Sequence, residues 1–149
     1  MIRSAVATWR GGPGAGEGSV TTSSGVITNA LYSFGSASGN EPCTSPSEML
    51  AAAVASCISL MVTREMAKAG LHEKSVTTEA ELKLEELHGK WQITDFHVIV
   101  STSVPDNEVE KFEHAARLAK GKCPISHALN VPVKMTTRVQ PPVHAAAMA

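Results

Sequence analysis

Two cysteines, Cys57 and Cys123, occupy settings different enough to make them one redox couple. Cys57 falls in the uncharged middle of a long apolar run from Met49 to Val62, and Cys123 opens the segment Gly121-Lys122-Cys123-Pro124-Ile125-Ser126-His127. Burial in apolar surroundings keeps a thiol protonated. A thiol at a helix N-terminus instead meets unpaired backbone N–H groups and the positive end of the helix dipole, which favour the thiolate. Lys120 and Lys122 add to that bias, so by acidity alone Cys123 is the readier nucleophile. If the fold joins the two sulfurs, the chain can cycle between dithiol and disulfide. Each residue also has a plainer reading, Cys57 as a small hydrophobe of a core helix and Cys123 as a weak N-cap.

Other chemistries find less support. Cys43 lies in a polar loop, and a zinc site from Cys43, Cys57, Cys123 and His127 lacks any Cys-x-x-Cys pairing. His127 is near enough in sequence to influence Cys123, although a solvated or core role suits it better. Gly35-Ser36-Ala37-Ser38-Gly39 carries alanine where a nucleophile elbow needs serine. The glycines from Gly11 to Gly16 follow no strand that leads straight into a helix, and no Lys-Ser or Lys-Thr comes after them, so they read as a loop and not a phosphate cradle.

Bulk composition narrows the class. An apolar content of 43% with 18% charged residues is that of a globular chain, and a net charge of −1 leaves no electrostatic footprint for nucleic acid or an anionic membrane. The first ten residues contain no apolar run of signal-peptide length, and Met49 to Val62 falls short of the ~20 residues that span a bilayer. A cytoplasmic protein is the expectation. Three cysteines are too few for a disulfide scaffold.

The elements that must position the thiols are legible in outline. Val6 to Trp9 predicts a strand, and Ser19 to Thr22 with Gly25 to Thr28 predict a hairpin around Ser23-Ser24-Gly25. Ser33 to Ser45 should be a loop. Ser45-Pro46-Ser47-Glu48 then starts a helix, with Ser45 as N-cap, Pro46 at the first helical position and Glu48 completing a capping box. The helix should run to about Ala69 with Gly70 as its stop, and apolar residues on nearly every face up to Arg64 predict a buried central helix. Val76 to Glu85 and Trp91 to Val100 predict an antiparallel pair turning at His88-Gly89-Lys90. A helix from Pro105 to about Lys120, with Val109, Phe112, Ala116 and Leu118 or Ala119 as its apolar side, precedes the short helix at Cys123 to Leu129. Val131 to Val139 is a last strand whose Pro132 favours an edge or first position. The order is that of an α+β domain over residues 1–140, followed by a flexible tail over 141–149.

The segments around both cysteines resemble the OsmC/Ohr family of thiol peroxidases, in its OsmC-like branch. The resemblance rests on Ser45-Pro46-x-Glu48-x-Leu50, the alanine-rich helix to Ala55-Ser56-Cys57, and Gly121-Lys122-Cys123-Pro124-Ile125-Ser126, with the cysteines 66 residues apart. Thr8-Trp9, Ser19 to Thr22 and Tyr32-Ser33-Phe34 extend it to about residues 5 to 139. It implies antiparallel sheets around a long buried central helix in an intertwined homodimer, with the active sites at the interface. It implies that Cys57 is the peroxidatic residue attacking an organic hydroperoxide, that Cys123 resolves the sulfenic acid to a disulfide, and that a dithiol reductant, often a lipoylated protein, reopens it. The resemblance implies no metal, haem or flavin. Glu48 enters as a third site residue. The family's acid, ten positions before the peroxidatic cysteine, falls here on Ser47. Glu48 comes one step later, about 100° further around the helix. The loop Phe34 to Gly39, where OsmC-like chains carry a thiolate-stabilising arginine, has none, and Arg10 and Arg64 are the substitutes within reach. These departures leave a second reading open, a redox-sensing or small-hydrophobe-binding member with weak or no turnover.

Overall fold

β-Branched residues concentrate in two stretches of the chain, and each stretch becomes a sheet. The computed structural model describes residues 1–12, 15–33, 42–72 and 75–140. Most of the expected loop before the central helix, including Phe34 to Gly39, lies outside the described residues, as does the expected tail at 141–149. The chain divides into two compact units, Met1–Leu50 and Ala51–Ala149.

In the first unit, β1 (Ala5–Arg10), β2 (Glu17–Thr22) and β3 (Ala30–Tyr32) form an antiparallel sheet in that order. Gly18 pairs with Tyr32, and a Cβ at Gly18 would stand 2.5 Å from the tyrosine ring. The missing side chain lets that ring lie against the sheet, where it also meets Trp9 at a centroid distance of 5.9 Å. The partner of β2 is therefore β3, and not the expected Gly25–Thr28. Gly25 and Asn29 both take left-handed backbone angles, and the Thr22 N–H donates to the Ile27 carbonyl at 2.9 Å. These contacts close a wide turn that leaves Val26 and Ile27 exposed despite their β propensity.

The capping box forms as the sequence predicts. The Glu48 N–H donates to Ser45 Oγ (3.2 Å), while Glu48 Oε2 accepts the Ser45 N–H (3.1 Å) and the Thr44 hydroxyl (2.9 Å). From it runs α1 (Pro46–Lys68). Its end, in the second unit, is a Schellman turn: Gly70 has φ +79°, its N–H reaches the Ala67 carbonyl, and the Leu71 N–H reaches Met66 at 2.9 Å.

The second unit contains β4 (Val76–Leu87) and β5 (Lys90–Thr102), joined antiparallel through left-handed His88 and Gly89. A 3-10 turn at Asp106–Glu108 leads into α2 (Val109–Lys120), then α3 (Pro124–His127) and β6 (Val133–Val139). β6 lies parallel to β5 at the edge of a sheet ordered β4-β5-β6. This sheet is thus mixed where antiparallel pairing was expected, because the chain crosses back through α2 and α3 before β6. The core draws Val54, Ile58, Val62 and Met66 from α1, Phe96, Val98 and Val100 from β5, and Phe112, Ala115, Ala116 and Ala119 from α2. Of the two alternatives for the apolar side of α2, Ala119 is buried and Leu118 is exposed.

α1 differs from the expected helix buried all round. One face is buried, and Leu60 on another stands 68% exposed. At 23 residues it has the length and composition of a membrane-crossing helix, beyond what its uncharged stretch alone suggests. Its inward face nevertheless carries Cys57 and an ion-paired Glu65, as a helix packed in protein does.

Candidate active site

The mid-helix position of Cys57 and the helix-opening position of Cys123 converge in the second unit. The two sulfurs are 2.9 Å apart and unbonded. That is inside the contact distance of two sulfur atoms, and closing to a disulfide of ~2.05 Å needs a movement of less than about 1 Å. Cys57 is 9% exposed and Cys123 is fully buried.

Local sequence explains why Cys123 sits as it does. Pro124 occupies the first position of α3, where no N–H is needed, and Cys123 in an extended conformation caps the turn. Its Sγ accepts the Ser126 N–H at 3.4 Å, and its carbonyl accepts the Ser126 hydroxyl at 3.1 Å and the His127 N–H at 3.2 Å. The sulfur that caps this turn is therefore the same atom that meets Cys57.

The environments push the two thiols apart in acidity. Burial alone would raise Cys123, but hydrogen bonds from Cys57, from Ser126 and from the Ile125 N–H outweigh it and hold Cys123 below the ordinary thiol value. Cys57 is raised, first by burial, then by the hydrogen bond it shares with Cys123, with the Ile125 N–H only partly offsetting this. Of the two thiols Cys123 is thus the more acidic, the order that the acidity argument from sequence expects.

Glu65 is a residue that sequence reasoning missed. Its carboxylate, only 5% exposed, accepts from Lys68 Nζ at 2.7 Å and Lys122 Nζ at 3.0 Å. Those two ammonium groups hold it below the usual carboxylate range. Its signal was a lone acid on the apolar face of α1, two turns beyond Cys57, which went unread because its partner lies far along the chain.

The remaining sequence candidates are placed as follows. Glu48 is exposed and engaged in the capping box. Arg64 is exposed on α1, and Arg10 is exposed at the end of β1. Among the described residues of 51–140, the groups acting on the two sulfurs are the sulfurs themselves, Ile125 and Ser126. Cys43 belongs to the first unit, where its sulfur lies 3.3 Å from the Ser33 hydroxyl, and the His127 residue as a whole is exposed. Among the described residues no three His, Cys, Asp or Glu side chains gather closely enough to hold a metal.

A family model described as OsmC-like protein matches residues 38–138. Peroxiredoxin OsmC of Escherichia coli K12 is 30% identical over 127 residues, which covers 85% of this chain and 89% of that protein. Among solved structures, the organic hydroperoxide resistance protein OhrB of Bacillus subtilis superposes with a TM-score of 0.71 at 25% identity, covering 91% of this chain and 98% of the other. An OsmC-like protein of Mycoplasma pneumoniae gives a TM-score of 0.77 at 7% identity, over 93% and 97% of the two chains, a likeness of fold alone.

Proposed function

On the premise that the chain belongs to the OsmC-like protein family, we propose that it is a thiol peroxidase reducing organic hydroperoxides through Cys57 and Cys123. Kinship with peroxiredoxin OsmC and OhrB supports peroxidase-type chemistry. The observation that carries the cysteine assignment is the 2.9 Å approach of the two sulfurs.

Acidity favours Cys123 as first nucleophile, whereas access and the family resemblance favour Cys57. The two arguments join if the Cys123 thiolate takes the proton of Cys57 across their contact. The Cys57 thiolate then attacks the outer oxygen of the hydroperoxide, the O–O bond breaks, and the departing alkoxide leaves as alcohol after taking a proton. Cys57 is now a sulfenic acid. Cys123 attacks its sulfur, the S–O bond breaks with loss of water, and the disulfide forms. A dithiol reductant, such as a lipoylated protein, attacks that disulfide and closes its own ring, restoring both thiols. Glu48 serves by fixing the start of the helix that carries Cys57.

The active form in this reading is a cytoplasmic homodimer, with residues 1–140 acting as one domain. The alignment with peroxiredoxin OsmC supports the single domain, because it extends over 127 residues, 85% of this chain. Leu60 on α1 and Trp91 on β5, each 68% exposed, support a partner surface.

Purified protein with cumene hydroperoxide and a dithiol should consume peroxide, and Cys57→Ser should abolish this. Undiminished consumption in that variant defeats the assignment. A second reading draws on the raised Cys57 and on the absence of a guanidinium from the groups acting on it among the described residues of 51–140. It makes the chain a redox sensor or small-hydrophobe-binding protein, and one oxidation to the disulfide without turnover under several dithiols would favour it.

A further inference from the structure

The turn that delivers Cys123 to the site has no covalent tie to α1, yet its sulfur must meet that of Cys57 on the helix. Lys122 immediately precedes Cys123, and its ammonium meets the buried Glu65 carboxylate at 3.0 Å. Glu65 lies on the same helix as Cys57, and its other oxygen is held by Lys68 at 2.7 Å. The Lys122 N–H also donates to the Ala119 carbonyl at 3.0 Å, so the turn is fixed to the end of α2 as well. The Glu65–Lys122 pair therefore clamps the segment carrying one sulfur to the helix carrying the other.

We infer that Glu65 is a positioning residue for the redox couple, acting through Lys122 to hold Cys123 against Cys57. The inference rests on the cysteine pair proposed above. In the dithiol state this clamp sets the effective concentration of one thiol at the other, and effective concentration governs how readily a disulfide closes. Loosening it lets the sulfurs separate and shifts the exchange equilibrium toward dithiol. It also lengthens the life of the Cys57 sulfenic acid. A second hydroperoxide can then transfer an oxygen to that sulfur, leaving as alcohol and giving the sulfinic acid that Cys123 can no longer resolve.

Lys68 supplies the control, because it pairs with the same carboxylate from within α1 and has no bond to the turn. The full-length chain is equilibrated in buffers of reduced and oxidised dithiothreitol without peroxide, alkylated, and its disulfide fraction read by intact mass. Lys122→Met is expected to shift the exchange constant about tenfold toward dithiol, about 30 mV for this two-electron couple. Glu65→Gln and the double variant should shift by the same amount, since all three break one clamp. Lys68→Met should stay within about twofold of the parent, and Lys122→Arg should restore the parent value. Under excess cumene hydroperoxide the sulfinic fraction at Cys57 should rise with Lys122→Met and not with Lys68→Met. A parent-like exchange constant in Lys122→Met, or an equal shift in Lys68→Met, overturns the inference. Absence of peroxide turnover in the parent, with the exchange shifts intact, would instead defeat the peroxidase reading alone.

Discussion

Sulfur atoms in contact titrate as a pair, because the proton that leaves one is shared with the other. Cys123 is an acid with a lowered value, so its charged form persists as pH falls into the range where an ordinary cysteine is already becoming protonated. Cys57 is shifted the opposite way and deprotonates last. Thiolate ultraviolet absorbance of the reduced chain should therefore rise in two steps, the first below the ordinary thiol range. Cys123→Ser should delete that first step. A surviving low-pH step in this variant would mean that Cys57 carries the early charge. The same substitution should leave the Cys57 sulfenic acid open to trapping by dimedone after one equivalent of hydroperoxide, with no disulfide formed. The acid order of the thiols was legible in part, because Ser126 and the Ile125 N–H belong to the local helix start, whereas the larger lowering contact, Cys57, lies far along the chain. Glu65 was not, because a buried acid discloses its role only when a distant lysine is seen beside it.

Elements were most legible where a local motif closes on itself. Ser45 and Glu48 satisfy each other's backbone N–H within one turn, and Gly70 and Leu71 close α1 through carbonyls of the same helix. Ser45→Ala should lower stability by about 1 kcal/mol, read from the urea midpoint. β3 escaped the sequence because it has three residues and its pairing depends on Gly18 making room for Tyr32. The parallel course of β6 is likewise set by the path of α2 and α3. Glu65 adds a pH dependence at this scale. Its carboxyl value is lowered in the fold, so the stability it contributes is present above the unfolded carboxylate value and is lost as pH falls through the lowered one. Unfolding midpoints followed downward through the acid range should fall less steeply in Glu65→Gln than in the parent.

For the whole molecule, strand and helix order disclosed the α+β class, while the one-sided burial of α1 needed coordinates. Light scattering should give twice the mass of one chain, and Leu60→Glu should drive the protein toward monomer and lower peroxide consumption several-fold. A parent that runs as a monomer at full activity would remove the dimer from the mechanism. The depth of the two sulfurs also gives the regeneration step a direction. With Cys123 sealed and Cys57 at 9% exposure, an outside thiolate arriving at the oxidised pair has one sulfur within its trajectory. In the proposed cycle the mixed disulfide then grows on Cys57 of α1, expelling the more acidic sulfur of Cys123, which is the better leaving group.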